Sequence, residues 1–123
     1  MSKKVLIIED NPTDGMIVKG HLLDENMEVE LAVNAKEGIA KALKMQPDLI
    51  LLDILLPDGN GYDVCRQLKK ELQLKNTIVI MHSIKDKPED IMNAFHAGAD
   101  DYIVKPPHPE FVAKKIRLYL RLR

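Results

Sequence analysis

The feature that most constrains this sequence is a short, wholly apolar run that ends on a carboxylate. Residues 49–52 follow Pro47-Asp48, and Asp53 comes directly after them. Four consecutive apolar residues after Pro-Asp are typical of a strand that is buried on both faces. An acid at the carboxyl end of such a strand lies where open α/β sheets bind ligands. On this run alone, Asp53 fits equally well as a residue that only hydrogen-bonds the local turn.

The rest of the chain repeats this pattern of strand followed by helix. Residues 5–8 and 77–81 are further apolar runs, residues 28–33 alternate polar and apolar side chains, and residues 102–104 form a short fifth strand. Five helices separate or follow these strands, the last of them opening at Pro109. This order predicts an α/β fold with a parallel sheet between two layers of helices, because crossovers between parallel strands are right-handed.

Helical spacing predicts which faces of two of these helices are apolar. In the first helix the residues at this spacing are Met16, Gly20, Leu23 and Met27, and in a third helix over residues 61–74 they are Val64, Cys65, Leu68 and Leu72. We expect the stripe of the third helix to be buried against the sheet.

Bulk composition narrows the class of protein without choosing a function. The chain has 123 residues and a formal net charge of −1, which fits one domain and does not favour nucleic acid or an anionic membrane as a partner. It has neither a signal peptide nor an apolar run near the roughly 20 residues that cross a bilayer. The single Cys65 is expected to be a buried structural thiol. These features favour a cytoplasmic protein with no nucleic-acid or membrane partner.

Polar side chains stand at the carboxyl ends of four of the five predicted strands. They are Glu9, Asp10, Asp53, Ser83 and Lys105. In a parallel sheet these ends share one edge, so three carboxylates converge and repel one another unless positive charge offsets them. Lys105 and a divalent cation supply that charge, and oxygen ligands without His or Cys favour Mg²⁺. Taken singly, each residue is ordinary, because a serine after a strand is usually a turn residue and most lysines are solvated.

This arrangement predicts a site that handles a phosphoryl group, because Mg²⁺ retains waters and binds phosphate oxygens. Asp53 is the predicted nucleophile, since a carboxylate can accept phosphoryl to form an acyl phosphate. Glu9 and Asp10 would hold the metal directly or through water. The Ser83 hydroxyl and the Lys105 ammonium would bind the oxygens of the transferred group.

These residues resemble the pattern of the response-regulator receiver domains of two-component signalling. The matching positions run through the whole chain: Glu9-Asp10, Asp53, the 56–59 turn, Gly61, Ser83, the 97–99 segment, Tyr102 and Lys105-Pro106. The resemblance implies a flavodoxin-like sheet in the order 2-1-3-4-5. It also implies that Asp53 receives phosphoryl from a histidine kinase or a histidine phosphotransfer protein.

The resemblance further implies details of the site that the residues alone do not give. Mg²⁺ would be the cofactor, with the backbone carbonyl of Leu55 as an additional ligand beside the acids. Pro57, Gly61 and Pro106 would be structural residues at the site, with Lys105-Pro106 as a cis peptide that positions the lysine.

The resemblance also implies how the phosphoryl group is read out. Ser83 would move toward it, and Tyr102 would rotate inward and remodel the surface made by the fourth helix, fifth strand and fifth helix. A downstream protein, or a second copy in a homodimer, would bind that face. The alternative for Tyr102 is a plain, partly exposed strand aromatic.

The last helix has more apolar surface than a core needs. Phe111, Leu118 and Leu122 form a stripe beside a second one made of Val112, Ile116, Tyr119 and Leu120. We hypothesise that the stripe of Phe111, Leu118 and Leu122 contacts a partner or a second copy. Full burial of its residues within one subunit would contradict this hypothesis.

Some positions depart from the receiver pattern or invite other functions. Ile84 follows Ser83 where a small residue is typical, which predicts slow loss of the phosphoryl group. His82 and His108 have no second metal ligand at suitable spacing, so structural or exposed roles are expected. A flavin-binding module needs a Ser/Thr/Gly-rich loop where residues 9–12 stand, and a metal-dependent phosphatase normally has an acid where Leu55 stands.

The domain organisation predicted from the sequence is one receiver domain over residues 1–123 with no output domain. A receiver cut from a hybrid kinase or from a longer regulator is the alternative. In either case we expect no enzyme, but a signalling phosphoacceptor that assists only its own phosphorylation and slow dephosphorylation.

Overall fold

The computed structural model describes residues 2–23, 27–105 and 108–121. The strands in this part of the chain are β1 (Lys3–Ile8), β2 (Met27–Ala32), β3 (Leu49–Leu52), β4 (Leu55–Leu56), β5 (Gly59–Asn60), β6 (Ile78–Ser83) and β7 (Asp101–Val104). The helices are α1 (Pro12–Leu22), α2 (Ala35–Met45), α3 (Gly61–Lys70), α4 (Pro88–His96) and α5 (Pro109–Arg121), with a 3₁₀ turn at Leu72–Leu74.

The main sheet has five parallel strands in the order β2-β1-β3-β6-β7. Counted over this sheet alone, that is the predicted order 2-1-3-4-5, and the predicted fold class is confirmed. Because all five strands run the same way, their carboxyl ends lie along one edge. β4 and β5 form a separate antiparallel hairpin directly after Asp53, where the sequence predicted only a turn.

Both faces of the sheet are covered, which explains the continuous apolar runs in its central strands. Successive side chains of a strand point to opposite faces. On β1, Leu6 and Ile8 join one core cluster, whereas Val5 and Ile7 join the other. The first cluster includes buried residues of α2, α3 and α4, and the second includes buried residues of α1 and α5.

Two helix faces differ from those that the periodicity indicated. α3 ends at Lys70 because Glu71 is extended, so Leu72 is 78% exposed and Leu74 is buried in its place. On α1 the buried residues are Gly15, Val18 and Leu22, while Met16 and Leu23 are exposed.

The reason for the difference on α1 is that this helix is apolar on more than one side, so spacing alone does not choose the inner face. Gly15 lies on the inner face, where an added Cβ would make an ordinary van der Waals contact with Leu31 of β2 at 3.5 Å.

β6 also runs two residues further than the apolar run at 77–81 predicted. His82 and Ser83 pair in register with Ile103 and Val104 of β7. Polar residues can continue a strand when the neighbouring strand supplies their backbone hydrogen bonds. As a result, Ser83 belongs to the sheet rather than to the loop after it.

A long side chain of α5 adds a hydrogen bond to the apolar packing between α1 and α5. Arg117 of α5 donates a hydrogen bond from Nη2 to the backbone carbonyl of His21 at 2.6 Å. His21 lies in the last turn of α1, where carbonyl groups lack helical partners and a positive charge is favourable.

This contact predicts a stability difference between two substitutions on the same helix. Arg117→Ala should lower the free energy of unfolding by about 1–2 kcal/mol, because it removes a charged hydrogen-bond donor from the end of α1. Lys114→Ala, at an exposed position of α5, should change it by less than about 0.5 kcal/mol. Urea unfolding monitored by circular dichroism measures both, and equal effects would contradict the role given to Arg117.

Candidate functional site

The candidate site lies at the carboxyl edge of the parallel sheet, where the strand ladder continues into the polar residues. The backbone N–H of Glu9 donates to Ala32 at 2.9 Å, that of Asp53 to Ile8 at 3.0 Å, and that of Lys105 to Ser83 at 2.8 Å. These bonds extend the sheet pairing by one residue beyond each strand. The site residues therefore leave the sheet from fixed backbone positions.

The five polar residues predicted from the sequence differ in burial. Glu9 and Asp53 are each only 6% exposed, Ser83 is fully buried, and Asp10 is exposed. Lys105 reaches in from the end of β7, with 13% of its side chain exposed. The site thus has a buried floor of two carboxylates and a hydroxyl, with Asp10 at its solvent side.

The ammonium group of Lys105 joins the two buried carboxylates. Its Nζ donates to Oδ2 of Asp53 at 2.8 Å and also to Oε1 of Glu9. The remaining oxygens are oriented by backbone groups, since Asn11 N donates to Oε2 of Glu9 at 3.2 Å and Leu55 N donates to Oδ1 of Asp53 at 3.1 Å. Each carboxylate oxygen of Glu9 and Asp53 therefore accepts a hydrogen bond.

Burial and the contacts with Lys105 shift the pKa values of both Glu9 and Lys105. Burial, with a smaller contribution from the charge of Asp53, raises the pKa of Glu9 to about 7, although Lys105 and Asn11 oppose the rise. Burial also disfavours charge on Lys105, but its bonds to Asp53 and Glu9 outweigh this and raise its pKa, so it stays an ammonium. Burial thus disfavours the charged form of Glu9, even with Lys105 beside it.

The carboxylate oxygens of the three acids are suitable ligands for a divalent cation. Glu9, Asp10 and Asp53 each offer a carboxylate oxygen, and these oxygens lie within 4.8 Å of one another. Oxygen donors of this kind suit Mg²⁺, which binds through a few carboxylates and keeps waters for the rest of its shell. Leu55, the predicted carbonyl ligand, begins β4 beside Asp53.

The loop after Asp53 passes so close to α3 that only glycine fits at the start of that helix. A Cβ on Gly61 would lie 2.4 Å from the carbonyl oxygen of Asp53 and 2.7 Å from Cα of Ile54. Gly61 N also donates to the carbonyl of Ile54 at 2.8 Å. Pro57 lies in the turn between β4 and β5, whereas Pro106 and its peptide bond lie outside the described residues.

Tyr102 and Ser83 are connected through the loop between β6 and α4. The Tyr102 hydroxyl donates to the carbonyl of Lys85 at 2.6 Å, and Lys85 N lies 3.5 Å from Oγ of Ser83. The Tyr102 ring is half-buried against the core cluster on the α3 and α4 side, and burial raises its pKa to about 12. The two residues expected to form a switch thus contact the same residue, Lys85.

His82, for which the sequence predicted a structural or exposed role, is a buried residue of the sheet. It is 8% exposed, and its Nε2 makes no hydrogen bond with any residue that the structure describes. Burial and the nearby Lys105 ammonium lower its pKa to about 4, so it is a neutral core histidine. It lines a cavity of about 120 Å³ between α1 and α5 with Asp14, Ile17 and Lys105. The alternation of side chains along a strand could have predicted this burial, because His82 lies on the same face of the sheet as Ile80.

The family of this chain follows from a match over most of its length. The family model described as "Response regulator receiver domain" matches residues 5–117 of this chain. The chain belongs to this family. It is therefore the receiver domain of a two-component response regulator, as the sequence indicated.

Individual relatives agree with this assignment. The transcriptional regulatory protein ResD of Bacillus subtilis is 37% identical over 96% of this chain, and the response regulator ArlR of Staphylococcus saprophyticus is 39% identical over 96%. The matched regions are 48% and 52% of those proteins, so the chain spans about half the length of these curated relatives.

Solved structures agree with the fold. A CheY-like receiver domain protein from Methanospirillum hungatei is 33% identical with a TM-score of 0.91, the match covering 98% of this chain and 95% of that one. The chemotaxis response regulator CheY4 of Vibrio cholerae is 30% identical with a TM-score of 0.89, covering 96% and 98%. Among the described residues, no helix has the length and apolar character needed to cross a bilayer.

The buried histidine predicts how stability changes with pH. The pKa of His82 is about 4 in the folded chain and about 6.5 when unfolded, so the unfolded state binds more protons between these values. The contribution of neutral His82 to the free energy of unfolding is complete above pH 6.5 and is lost as the pH falls toward 4. The wild type should therefore lose about 2–3 kcal/mol more than His82→Leu between pH 7 and pH 4.

Urea unfolding of both proteins at several pH values measures this difference. Carboxylates titrate in the same range, but they are common to the two proteins and cancel when one curve is subtracted from the other. Parallel curves would show that His82 is not held neutral.

Proposed function

We propose that this receiver domain accepts a phosphoryl group on Asp53 from a phosphohistidine in a Mg²⁺-dependent reaction. The observation that carries the proposal is the buried Asp53 carboxylate, held between the Lys105 ammonium and the Leu55 N–H, with Glu9 and Asp10 within reach of the same cation. A carboxylate that served only to hold a turn would not require this concentration of charge.

In the proposed reaction, a carboxylate oxygen of Asp53 bonds to phosphorus as the N–P bond of phosphohistidine breaks. The electron pair of that bond stays on the imidazole nitrogen of the donor. Mg²⁺ held by Glu9, Asp10, Asp53 and the Leu55 carbonyl would neutralise charge on the phosphoryl oxygens.

Lys105 and Ser83 would then bind the transferred group. Lys105 already contacts Asp53 and remains charged, so its ammonium can bind a phosphoryl oxygen after the transfer. The buried Ser83 hydroxyl would donate to another phosphoryl oxygen. Both residues act on charge that increases when the phosphoryl group arrives.

A phosphorylation assay with a small donor such as acetyl phosphate tests the acceptor. The wild type should take up about one phosphoryl group per chain with Mg²⁺ and none with EDTA, whereas Asp53→Asn should take up none. Asp63→Asn is the matched control, because Asp63 is an exposed acid at the start of α3. Labelling of Asp53→Asn at the wild-type level would contradict the proposal, and turnover of unrelated phosphate esters would favour the phosphatase alternative.

The proposed phosphodonor is a histidine kinase or a histidine phosphotransfer protein, which fits membership of the receiver family. The prediction that nucleic acid is not a partner applies more narrowly than the sequence suggested. One relative, RpaA of Synechocystis, is named a DNA-binding transcriptional regulator, and 49% of its length is matched. The exclusion of nucleic acid therefore rests on the charge of residues 1–123 and does not extend to a longer regulator.

We further propose that phosphorylation acts through Ser83 and Tyr102 on the surface made by α4, β7 and α5. Ser83 would move toward the phosphoryl group and weaken its approach to Lys85, to which the Tyr102 hydroxyl is bonded. The half-buried Tyr102 ring would then turn further inward. Met92 and Phe95 of α4 are 53% and 44% exposed, so this surface offers apolar side chains to a partner.

Two residues of the apolar stripe of α5 are also exposed and could contact the same partner. Phe111 and Leu118 are 50% and 48% exposed, so they are not buried within one subunit, and Leu122 lies outside the described residues. Tyr119, by contrast, makes a hydrogen bond within the chain, since its hydroxyl donates to Asp101 at 2.7 Å. The partner is a downstream protein or a second copy of this chain.

Beryllofluoride, which mimics the acyl phosphate on an aspartate, tests the switch and the surface together. With Mg²⁺ it should change amide exchange across residues 88–121 in the wild type and in Tyr119→Phe, but not in Tyr102→Ala. An unchanged response in Tyr102→Ala would contradict the switch. Sedimentation of the same samples tests the second copy, because a monomer with and without beryllofluoride would rule out a homodimer.

A further inference from the structure

Asp58 connects two parts of the chain that the site does not otherwise join. It lies in the turn between β4 and β5, and its carboxylate accepts two hydrogen bonds from the start of α2. The donors are Ala35 N at 2.7 Å to Oδ1 and Lys36 N at 3.0 Å to Oδ2. The first N–H groups of a helix have no helical acceptors and carry partial positive charge, which suits a carboxylate. These bonds lower the pKa of Asp58.

α2 already has a cap of its own. Asn34 accepts a hydrogen bond from Glu37 N at 2.8 Å, and the Glu37 side chain accepts one from Val33 N at 3.2 Å. This local exchange is sufficient to begin a helix. The contact of Asp58 is instead a tertiary bond that holds the β4–β5 hairpin against α2.

The hairpin needs such a bond because it has little core of its own. It consists of two residue pairs, Leu55 with Asn60 and Leu56 with Gly59, and Leu56 is its buried member. Isolated hairpins of this size are not stable in water. Yet this hairpin carries Leu55, whose N–H bonds Oδ1 of Asp53 at 3.1 Å.

We propose that Asp58 is a positioning residue for the phosphoacceptor site, which holds the hairpin so that Leu55 stays against Asp53. The inference deepens the proposed function and rests on it for the role of the Leu55 carbonyl as a Mg²⁺ ligand. Asp58 is not among the residues that would hold the metal or bind the phosphoryl group. It acts through the hairpin, with the amino end of α2 as a fixed support.

The rival explanation is that Asp58 merely stabilises α2. Asn34→Ala separates the two, because it removes a cap from the same helix and leaves the hairpin attached. Asp58→Ala removes the attachment, and Asp58→Asn keeps a side chain of the same shape with one acceptor oxygen. Mg²⁺ binding by isothermal titration calorimetry and urea unfolding are measured on all three variants and the wild type.

If Asp58 positions the site, Asp58→Ala should weaken Mg²⁺ binding about 10-fold, a typical effect of losing a residue that orients a metal ligand. Asp58→Asn should have an intermediate effect. Asn34→Ala should lower the urea midpoint but keep the wild-type Mg²⁺ affinity. Wild-type affinity in Asp58→Ala, or equal weakening in Asn34→Ala and Asp58→Ala, would overturn the inference.

A metal-free measurement distinguishes this inference from the proposed function. Amide exchange of Leu55 without Mg²⁺ reports its bond to Asp53, and it should be faster in Asp58→Ala than in the wild type or in Asn34→Ala. Unchanged exchange would overturn the inference even if Asp53 accepts phosphoryl. Faster exchange in a chain whose wild type binds no Mg²⁺ would support the positioning role and refute the proposed metal site instead.

Discussion

The charge contact between Lys105 and the two buried acids is the constraint on which the rest of the site depends. Glu9 and Asp53 leave neighbouring strands at the same edge, so their carboxylates are forced together out of bulk water. Removing the ammonium would leave two uncompensated buried charges, which is more damaging than the loss of an ordinary surface ion pair. The raised pKa of Glu9, caused chiefly by burial, shows that negative charge is costly at this position. A cation at this edge of the sheet would offset that cost, which is the physical basis of the proposed Mg²⁺ site.

The surroundings of this contact keep it in place. β1 and β3 are buried on both faces, so the backbone that carries Glu9 and Asp53 is held by two core clusters. The loop after Asp53 is held by the close approach of Gly61 and by the bonds of Asp58 to α2. On the other side, the loop after Ser83 is held by the Tyr102 hydroxyl. One loop is thus attached to a helix end and the other to a side chain on a neighbouring strand.

Several sequence-based predictions were wrong at places where periodicity competed with a local backbone change. The spacing of Leu72 continued the stripe of α3, but the extended Glu71 ends the helix and turns Leu72 outward. In α1, two apolar faces were available, and the face with Gly15, Val18 and Leu22 is the one that the structure buries. β6 continued through His82 and Ser83 because β7 pairs with both. In each case a neighbouring segment decided what the local pattern left open.

The sequence by itself determined the alternation of strands and helices, the strand order through its family resemblance, and the polar residues that meet at the sheet edge. It could do so because strand ends in a parallel sheet share an edge, whatever the details of packing. Only the tertiary structure decided that His82 is buried and neutral, that Asp58 binds the start of α2, and that Tyr102 bonds Lys85. These contacts join residues that are distant in sequence or separated by a loop. They depend on how turns and loops pack on the finished sheet, which no local pattern encodes.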